Sequence, residues 1–397
     1  MQLNVLHMSH FEIRYGAEKQ LLDYLGLVKQ NPNEINHHVC ALRLSDSMRK
    51  ELKELGTPLL ITKLWPWNLA EFSRFVKKHD IHILHVHNQL RFPLRSRVLP
   101  KLAHIPLILE HEHGMVWNTT STRIIKWTNH LVNSNICNSN AAKIMLKQKC
   151  DIDARVIYNG VPIPPERESN TNELKTLLKL PCNTPIVGFV GRLNNPKGAE
   201  AFIRMIPLVK QAVPQAKFIV VGDGPMRKTL EDEVTALGVN EQTIFLGYQK
   251  DAHLLMDQMD VLVVPSFREA FGNVVIEAAL AKKPVVASNV DGLAETVLNG
   301  ETGFLVDCTD PITARLKGTN RLPKAVVDGR TQELRPPYLP NTQMLAEKVI
   351  TCLQDPRLGS TLGKQAYVRA STLFSLERYR TDLDRVYREL YESNTRS

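Results

Sequence analysis

The sequence lacks the features that mark several large classes of protein. No Cys-x-x-Cys pair occurs. Its six cysteines (Cys40, Cys137, Cys150, Cys182, Cys308 and Cys352) are scattered over 397 residues. That spacing suggests neither a zinc site nor a disulfide framework, and it fits free thiols in a reducing compartment. No apolar run approaches the roughly 20 residues a membrane-crossing helix needs. The opening LNVLHM is strand-like, with no basic segment leading into a long apolar core, so no signal peptide is expected. The expected location is cytoplasmic, with peripheral contact at the cytoplasmic face of a membrane left open. A G-x-x-x-x-G-K-[ST] phosphate loop is missing. Gly222 and Gly224 form the start of a G-x-G-x-x-G pattern, but Arg227 stands where its third glycine would be. These absences count against an NTPase and a dinucleotide-dependent dehydrogenase. No nucleic-acid-binding motif appears either.

What is present reads as an ordinary globular chain, with 43% hydrophobic and 23% charged residues, long enough for two domains. The formal charge of +9 points to an anionic partner: a phosphorylated substrate, a nucleic acid or an anionic membrane surface. Short apolar runs alternate with amphipathic stretches, the pattern of parallel α/β architecture. One series of strands runs from LNVLHM to ARVIYNG, and a second from PIVGFVGRL to TGFLV. Between them lies VPIPPERESNTNELKTL, rich in proline and charge, which reads as a linker. The expected domains are residues 1–165, joined by a helix at about 376–395, and residues 166–375. Two such domains leave a cleft at the carboxyl ends of their strands, where ligands of such sheets bind. Residues 311–341 break the rhythm and read as a solvent-exposed insertion, with a flap over the cleft as the alternative.

Chemistry concentrates in a few segments. In VPSFREAFGNVVIEAALAKKPVVAS a strand ends at Pro265-Ser266, a turn carries Glu269, Phe271 and Gly272, and a helix begins near Asn273 with Glu277 on its first turns. A helix N-terminus offers unpaired N–H groups and the positive end of a dipole, a seat for a diphosphate. Two carboxylates beside an anion make sense if each accepts hydrogen bonds from sugar hydroxyls. A capped surface helix with two solvated glutamates is the plainer account. In GFVGRLNNPKGAE, Arg192 and Lys197 flank a loop that leads into a helix. They supply a forked and a point-like cation for phosphate, or are incidental loop charges. Gly16, before the first long helix, would let backbone approach a ligand closely, or serves a simple turn. His85 and His87 share one strand face, as do His111 and His113. No carboxylate or cysteine spacing completes a metal ligand set with them, so no metal is expected. His113, followed by Gly114, closes a strand at the expected cleft edge.

The ordered set of these pieces resembles the GT-B-fold retaining glycosyltransferases of family 4 (glycosyl transferases group 1) over essentially the full chain. Glu269 and Glu277 within REAFGNVVIEA, Arg192 and Lys197 within GR…KG, then GDGP, FLG and the closing FSLERY…VYREL carry the resemblance. It implies two Rossmann-like domains facing across a cleft, with the last helix crossing back to the first. It also implies transfer from a nucleotide-diphosphate sugar with retention and no essential metal or other cofactor. Carried over, Arg192 and Lys197 hold the diphosphate, and Glu277 binds the ribose. Glu269 and the backbone at Phe271, Gly272, Asn273 and Val274 hold the donor sugar. Tyr248 lies by the base, Gly16 lines the donor site and His113 contacts the sugar. The sequence departs from the family at Tyr15, where a second glycine is usual. The partners implied are the donor and a glycan or lipid-linked acceptor in cell-surface polysaccharide or glycolipid synthesis. Residues 115–150 contain no acid and carry Arg123, Lys126, Lys143, Lys147 and Lys149 with Trp117 and Trp127; Arg91, Arg95, Arg97 and Lys101 lie just before. That composition suits an anionic membrane surface or a solvated basic face. A nucleotide-sugar epimerase or sugar-phosphate synthase on the same fold, and a noncatalytic partner subunit, are the competing readings.

Overall fold

A computed structural model of the chain describes residues 2–12, 16–88, 90, 92–116, 122–164, 173–312 and 322–395. Tyr15, Arg91, Trp117, much of the linker and residues 313–321 of the insertion lie outside them. The chain forms two compact units, Met1–Pro162 with Phe374–Ser397, and Ile163–Leu373.

The first unit is built on strands β1 (Leu3–Phe11), β2 (Ile35–Leu44), β3 (Leu59–Ile61), β4 (Ile83–His87), β5 (Leu107–Glu112), β6 (Ser134–Cys137) and β7 (Arg155–Val156). All pair in parallel, in the order β3-β2-β1-β4-β5-β6-β7. Strands such as VLHMS and ILHVH are buried without alternation, as expected where helices cover both faces of a parallel sheet. The C-terminal helix Leu376–Thr395 belongs to this unit and buries Tyr379, Leu383, Val386 and Tyr387 against its sheet. Gly160 permits that packing. A Cβ there would lie 2.6 Å from Tyr379 Cβ and 2.7 Å from Leu376 Cα.

The second unit holds β8 (Ile186–Val190), β9 (Lys217–Val221), β10 (Thr243–Gly247), β11 (Val261–Val264), β12 (Val285–Ser288) and β13 (Gly303–Val306), in the order β10-β9-β8-β11-β12-β13. In each sheet the strand order reverses once, between β1 and β4 and between β8 and β11. The loops that leave such neighbours at their carboxyl ends diverge to opposite faces and leave a crevice.

Two expectations are corrected. The segment 322–341 is not a solvent-exposed insertion: Val326, Val327 and Leu339 are almost wholly buried. Its short strands pair internally (Val326–Val327 with Leu334–Arg335) and with the main chain (Leu339–Pro340 with Cys308–Asp310). Aliphatic residues among its charges anchor it. Arg97 is not part of a basic surface. It is fully buried, and its guanidinium forks onto Glu110 at 2.8 and 2.6 Å while Nη1 donates to Ile125 O and Thr128 Oγ1. Lys147 pairs with Asp151 and Asp153, and Lys149 caps the Val116 carbonyl.

Removing one partner of a buried, fully bonded ion pair leaves a charge without water or counter-charge. Arg97→Ala is therefore expected to destabilise the protein by about 3–5 kcal/mol, measured as a lower urea midpoint. Arg97→Met with Glu110→Leu should recover most of the loss; a double variant as unstable as the single one would show that shape, not charge, governs the position.

Candidate active site

The β8/β11 crevice brings two loops into contact. After β8 come residues 191–198, ending in the short 3-10 turn Asn195–Lys197 and Gly198, whose φ of +64° starts the helix Ala199–Ala212. After β11 come residues 265–272, ending in Gly272 (φ +95°), which starts the helix Asn273–Leu280. Gly198 makes the contact possible, because a Cβ there would sit 2.0 Å from the Pro265 carbonyl oxygen. Gly222 and Gly224 act likewise. Their absent side chains would fall 1.9 Å from Gly191 O and 2.4 Å from Leu193 O. They let the β9 turn pack beneath the Arg192 loop, and the Leu193 N–H donates to Asp223 O at 2.9 Å.

Lys197 Nζ meets Glu269 Oε2 at 2.5 Å across the crevice, and Ser266 Oγ donates to the same oxygen at 3.3 Å. Both side chains are largely covered, so the attraction is less screened than between surface charges. Beneath Glu269 lies Asp291, which sequence reasoning missed. One oxygen accepts the Glu269 N–H at 3.2 Å and the other accepts the Val327 N–H at 2.7 Å. Burial, only partly opposed by these two donors, raises its carboxyl to about 7. Gly292 N then donates to Glu269 O at 3.0 Å. Only the SNVDG spelling after β12 hinted at this support.

The remaining expected residues take definite places. Arg192 is exposed, directly after the β8 strand end. Glu277 is half-buried in the fifth position of the Asn273–Leu280 helix, with Asn273 and Val274 in its first turn. The Phe271 side chain is buried, so only its backbone can meet a ligand. Tyr248 is 65% exposed at the end of β10, the edge strand two places from β8. Gly16 and His113 lie in the first unit. Gly16 is exposed with φ +50° at the start of the helix Ala17–Gln30. His113 follows β5; its N–H donates to Asn88 Oδ1 at 2.8 Å, and its carbonyl accepts Asn138 Nδ2 at 2.6 Å. A groove of about 1010 Å³ at the β1–β3 strand ends is lined by Arg43, Arg49, Lys63, Trp65 and Trp67. The two tryptophans stack, and Arg95 lies over Trp65.

Among known sequences, the profile of the glycosyl transferases group 1 matches residues 170–318, and that of glycosyltransferase family 4 matches residues 28–163. The chain belongs to the group 1, family 4 glycosyltransferases. This glycosyltransferase is 24% identical over 372 residues to the capsular polysaccharide biosynthesis glycosyltransferase CapM of Staphylococcus aureus, spanning 91% of the chain and 86% of that relative. It is 26% identical over 331 residues to the Escherichia coli UDP-Gal:alpha-D-GlcNAc-diphosphoundecaprenol alpha-1,3-galactosyltransferase, 78% of the chain and 85% of the relative. The Anabaena protein HepE, solved with UDP and glucose, superposes with a TM-score of 0.77 at 22% identity over 98% of this chain and 100% of that one. The fold of the glycosyltransferase is thus GT-B. Among its described residues no helix is long and apolar enough to cross a membrane.

Histidine supplies the most unusual chemistry of the first unit. His7, His37, His85, His87, His111 and His113 are all buried. Burial lowers every one of their pKa values, to about 3 for His37 and His113. The rings are therefore neutral at physiological pH, and His113 is not a cationic general acid there. The unfolded chain binds protons on these rings below about pH 6.5, whereas the folded one resists them well below that, to about 3 for His37 and His113. Their stabilising contribution is complete above 6.5 and is lost as pH falls through that window. At pH 5, His37 and His113 should each cost on the order of 2 kcal/mol of stability. A steep fall in urea midpoint from pH 7.5 to 5, with uptake of several protons on unfolding, is expected; equal midpoints would contradict it.

Proposed function

We propose that the protein is a retaining glycosyltransferase that moves a sugar from a nucleoside-diphosphate donor to a hydroxyl of a glycan or lipid-linked acceptor. The observation that carries this reading is the Lys197–Glu269 pair at the β8/β11 crevice, beside a helix N-terminus. Lys197 and Arg192 supply the positive charge for the diphosphate, together with the N–H groups at Asn273 and Val274. Glu269, with one oxygen on Lys197, and the backbone at Phe271 and Gly272 take the hydroxyls of the transferred sugar. Glu277 takes the ribose and Tyr248 lies by the base, and the family resemblance assigns Gly16 and His113 to the donor as well. The bond from the sugar's anomeric carbon to the phosphate oxygen breaks as the bond to the acceptor oxygen forms on the same face. The acceptor's proton passes to the departing phosphate. Preorganised cations stabilise the charge that develops on that phosphate, so no metal is required for the step. UDP is the favoured nucleotide, because the Anabaena neighbour holds UDP and the Escherichia coli relative is named for a UDP-sugar. The latter's name also includes a diphosphate-linked lipid acceptor, a chemistry that suits the basic, tryptophan-lined groove.

Mass-spectrometric screening with UDP-, GDP- and ADP-sugars should detect hydrolysis or transfer, with a UDP-sugar preferred. Arg192→Ala should lower kcat by about 10²–10³-fold with a smaller change in KM. Normal turnover in that variant would remove its assigned role.

The protein also meets an anionic membrane in this proposal. With Arg97 buried, Lys147 paired with surface aspartates and Lys149 on a backbone carbonyl, the proposed contact centres on the helix Thr122–Thr128. Ile124 and Trp127 are 55% and 74% exposed there, beside the exposed Arg123 and Lys126. Apolar anchors framed by cations suit the headgroup boundary. Salt-sensitive flotation with phosphatidylglycerol vesicles, reduced in Trp127→Ser, is expected. No difference between anionic and neutral vesicles would discard the contact.

A further inference from the structure

Where the first sheet meets the C-terminal helix, imidazoles stand in place of aliphatic side chains, and sugar transfer calls on only one of them. Their nitrogens form a continuous row. The Tyr24 hydroxyl donates to Asp384 Oδ1 at 3.1 Å, and its oxygen lies 3.4 Å from His37 Nε2. His37 Nδ1 is 2.9 Å from His7 Nε2, His7 Nδ1 is 3.2 Å from His87 Nε2, and His87 Nδ1 is 2.8 Å from His113 Nε2. His113 ends the row against Asn159. A branch leaves Tyr24 through Tyr387, whose hydroxyl lies 2.6 Å from His85 Nδ1, and His85 Nε2 is 3.3 Å from His111 Nδ1.

A neutral imidazole carries one proton, so a nitrogen that donates on one side obliges the other to accept. In a closed row no ring can choose alone. The sense is decided where a group has only one role, and that group is Asp384. It accepts Asn33 Nδ2 at 2.7 Å and lies 3.6 Å from Arg380. Burial raises its pKa, while Tyr24 and Arg380 oppose the rise. An ionised carboxylate only accepts, so the Tyr24 proton points to it. His37 must then donate from Nε2, His7 from Nε2, His87 from Nε2 and His113 from Nε2.

We propose that Asp384 sets the proton positions along this row, so that His113 is held as its Nε2–H tautomer and presents Nδ1 as an acceptor. Tyr24, His37, His7 and His87 are then positioning residues for His113, along a row that crosses β2, β1 and β4 to the end of β5. The inference rests on the reading that His113 serves the donor; its Nδ1 is itself buried. A metal is the competing occupant of this cluster. The nitrogens of His7, His85 and His87, and those of His87, His111 and His113, lie within 4.8 Å of one another. Neither set contains a carboxylate or thiolate, and a divalent ion there would be a buried charge without counter-charge.

Histidine-selective 15N labelling of the full chain, with two-bond proton–nitrogen correlation at pH 7.5 and His113→Gln for assignment, reads the tautomers directly. A single Nε2–H form of His113 is expected in the wild type. Tyr24→Phe and Asp384→Ala, each checked for an unchanged fold by its backbone spectrum, should convert it to a mixture. A mixed tautomer in the wild type, or an unchanged His113 signal in both variants, overturns the proposal. So does stoichiometric zinc or copper bound to the purified protein. In the donor-hydrolysis assay, Tyr24→Phe should lower kcat about tenfold with KM held. A tautomer change without loss of turnover supports the relay and removes His113 from the reaction, so the two readings fail separately.

Discussion

Both oxygens of Asp291 accept backbone N–H groups in a place without solvent, one from Glu269 and one from Val327. These bonds tie the loop that carries Glu269, the carboxylate proposed to bind the sugar, to a segment more than thirty positions later in the chain. The carboxylate faces backbone N–H groups with both oxygens, so it shapes the loop through them. Glu269 can then lean on Lys197 with its peptide fixed from behind, and Gly292 closes the same turn from the other side. A binding carboxylate held this way has little orientation left to lose when a substrate arrives, and that is the benefit of preorganisation.

The two units solve the problem of a buried sheet differently. In the second, aliphatic strands and the residues around Phe202, Phe218 and Leu230 form an ordinary core. In the first, one face interleaves a row of imidazoles and tyrosine hydroxyls with its aliphatic residues. Such a network specifies a single arrangement when each member has a partner, and it is costly when one does not. The acid sensitivity of the fold and the fixed orientation of His113 are two results of one choice of residues.

The fold and the loops that carry the candidate site were legible because they are local. Thirteen strands showed as short apolar runs, and the strand–turn–helix spelling marked the two loops that carry Lys197 and Glu269. What could not be read depended on contacts far apart in sequence. Arg97 looked like one more surface cation, because nothing in its neighbourhood names Glu110. Asp291 stands in a small-residue turn that could belong to any strand end. The segment 322–341 has no periodicity, since its burial rests on Val326, Val327 and Leu339 alone. The paired histidines of β4 and β5 were visible as pairs. Their continuation through His7, His37 and Tyr24 to Asp384 required the sheet order.

The helix Leu376–Thr395 supplies Tyr379, Leu383, Val386 and Tyr387 to the core of a unit whose strands come from the first 162 residues. On a ribosome these parts are made far apart in time. The second unit, continuous in the chain, can complete its core while the first still waits for one wall. Until that helix emerges, a sheet face lined with histidines stands without its cover. Imidazoles tolerate water better than leucines do, so the polar lining that couples the mature site also gives the unfinished domain a less adhesive surface during synthesis.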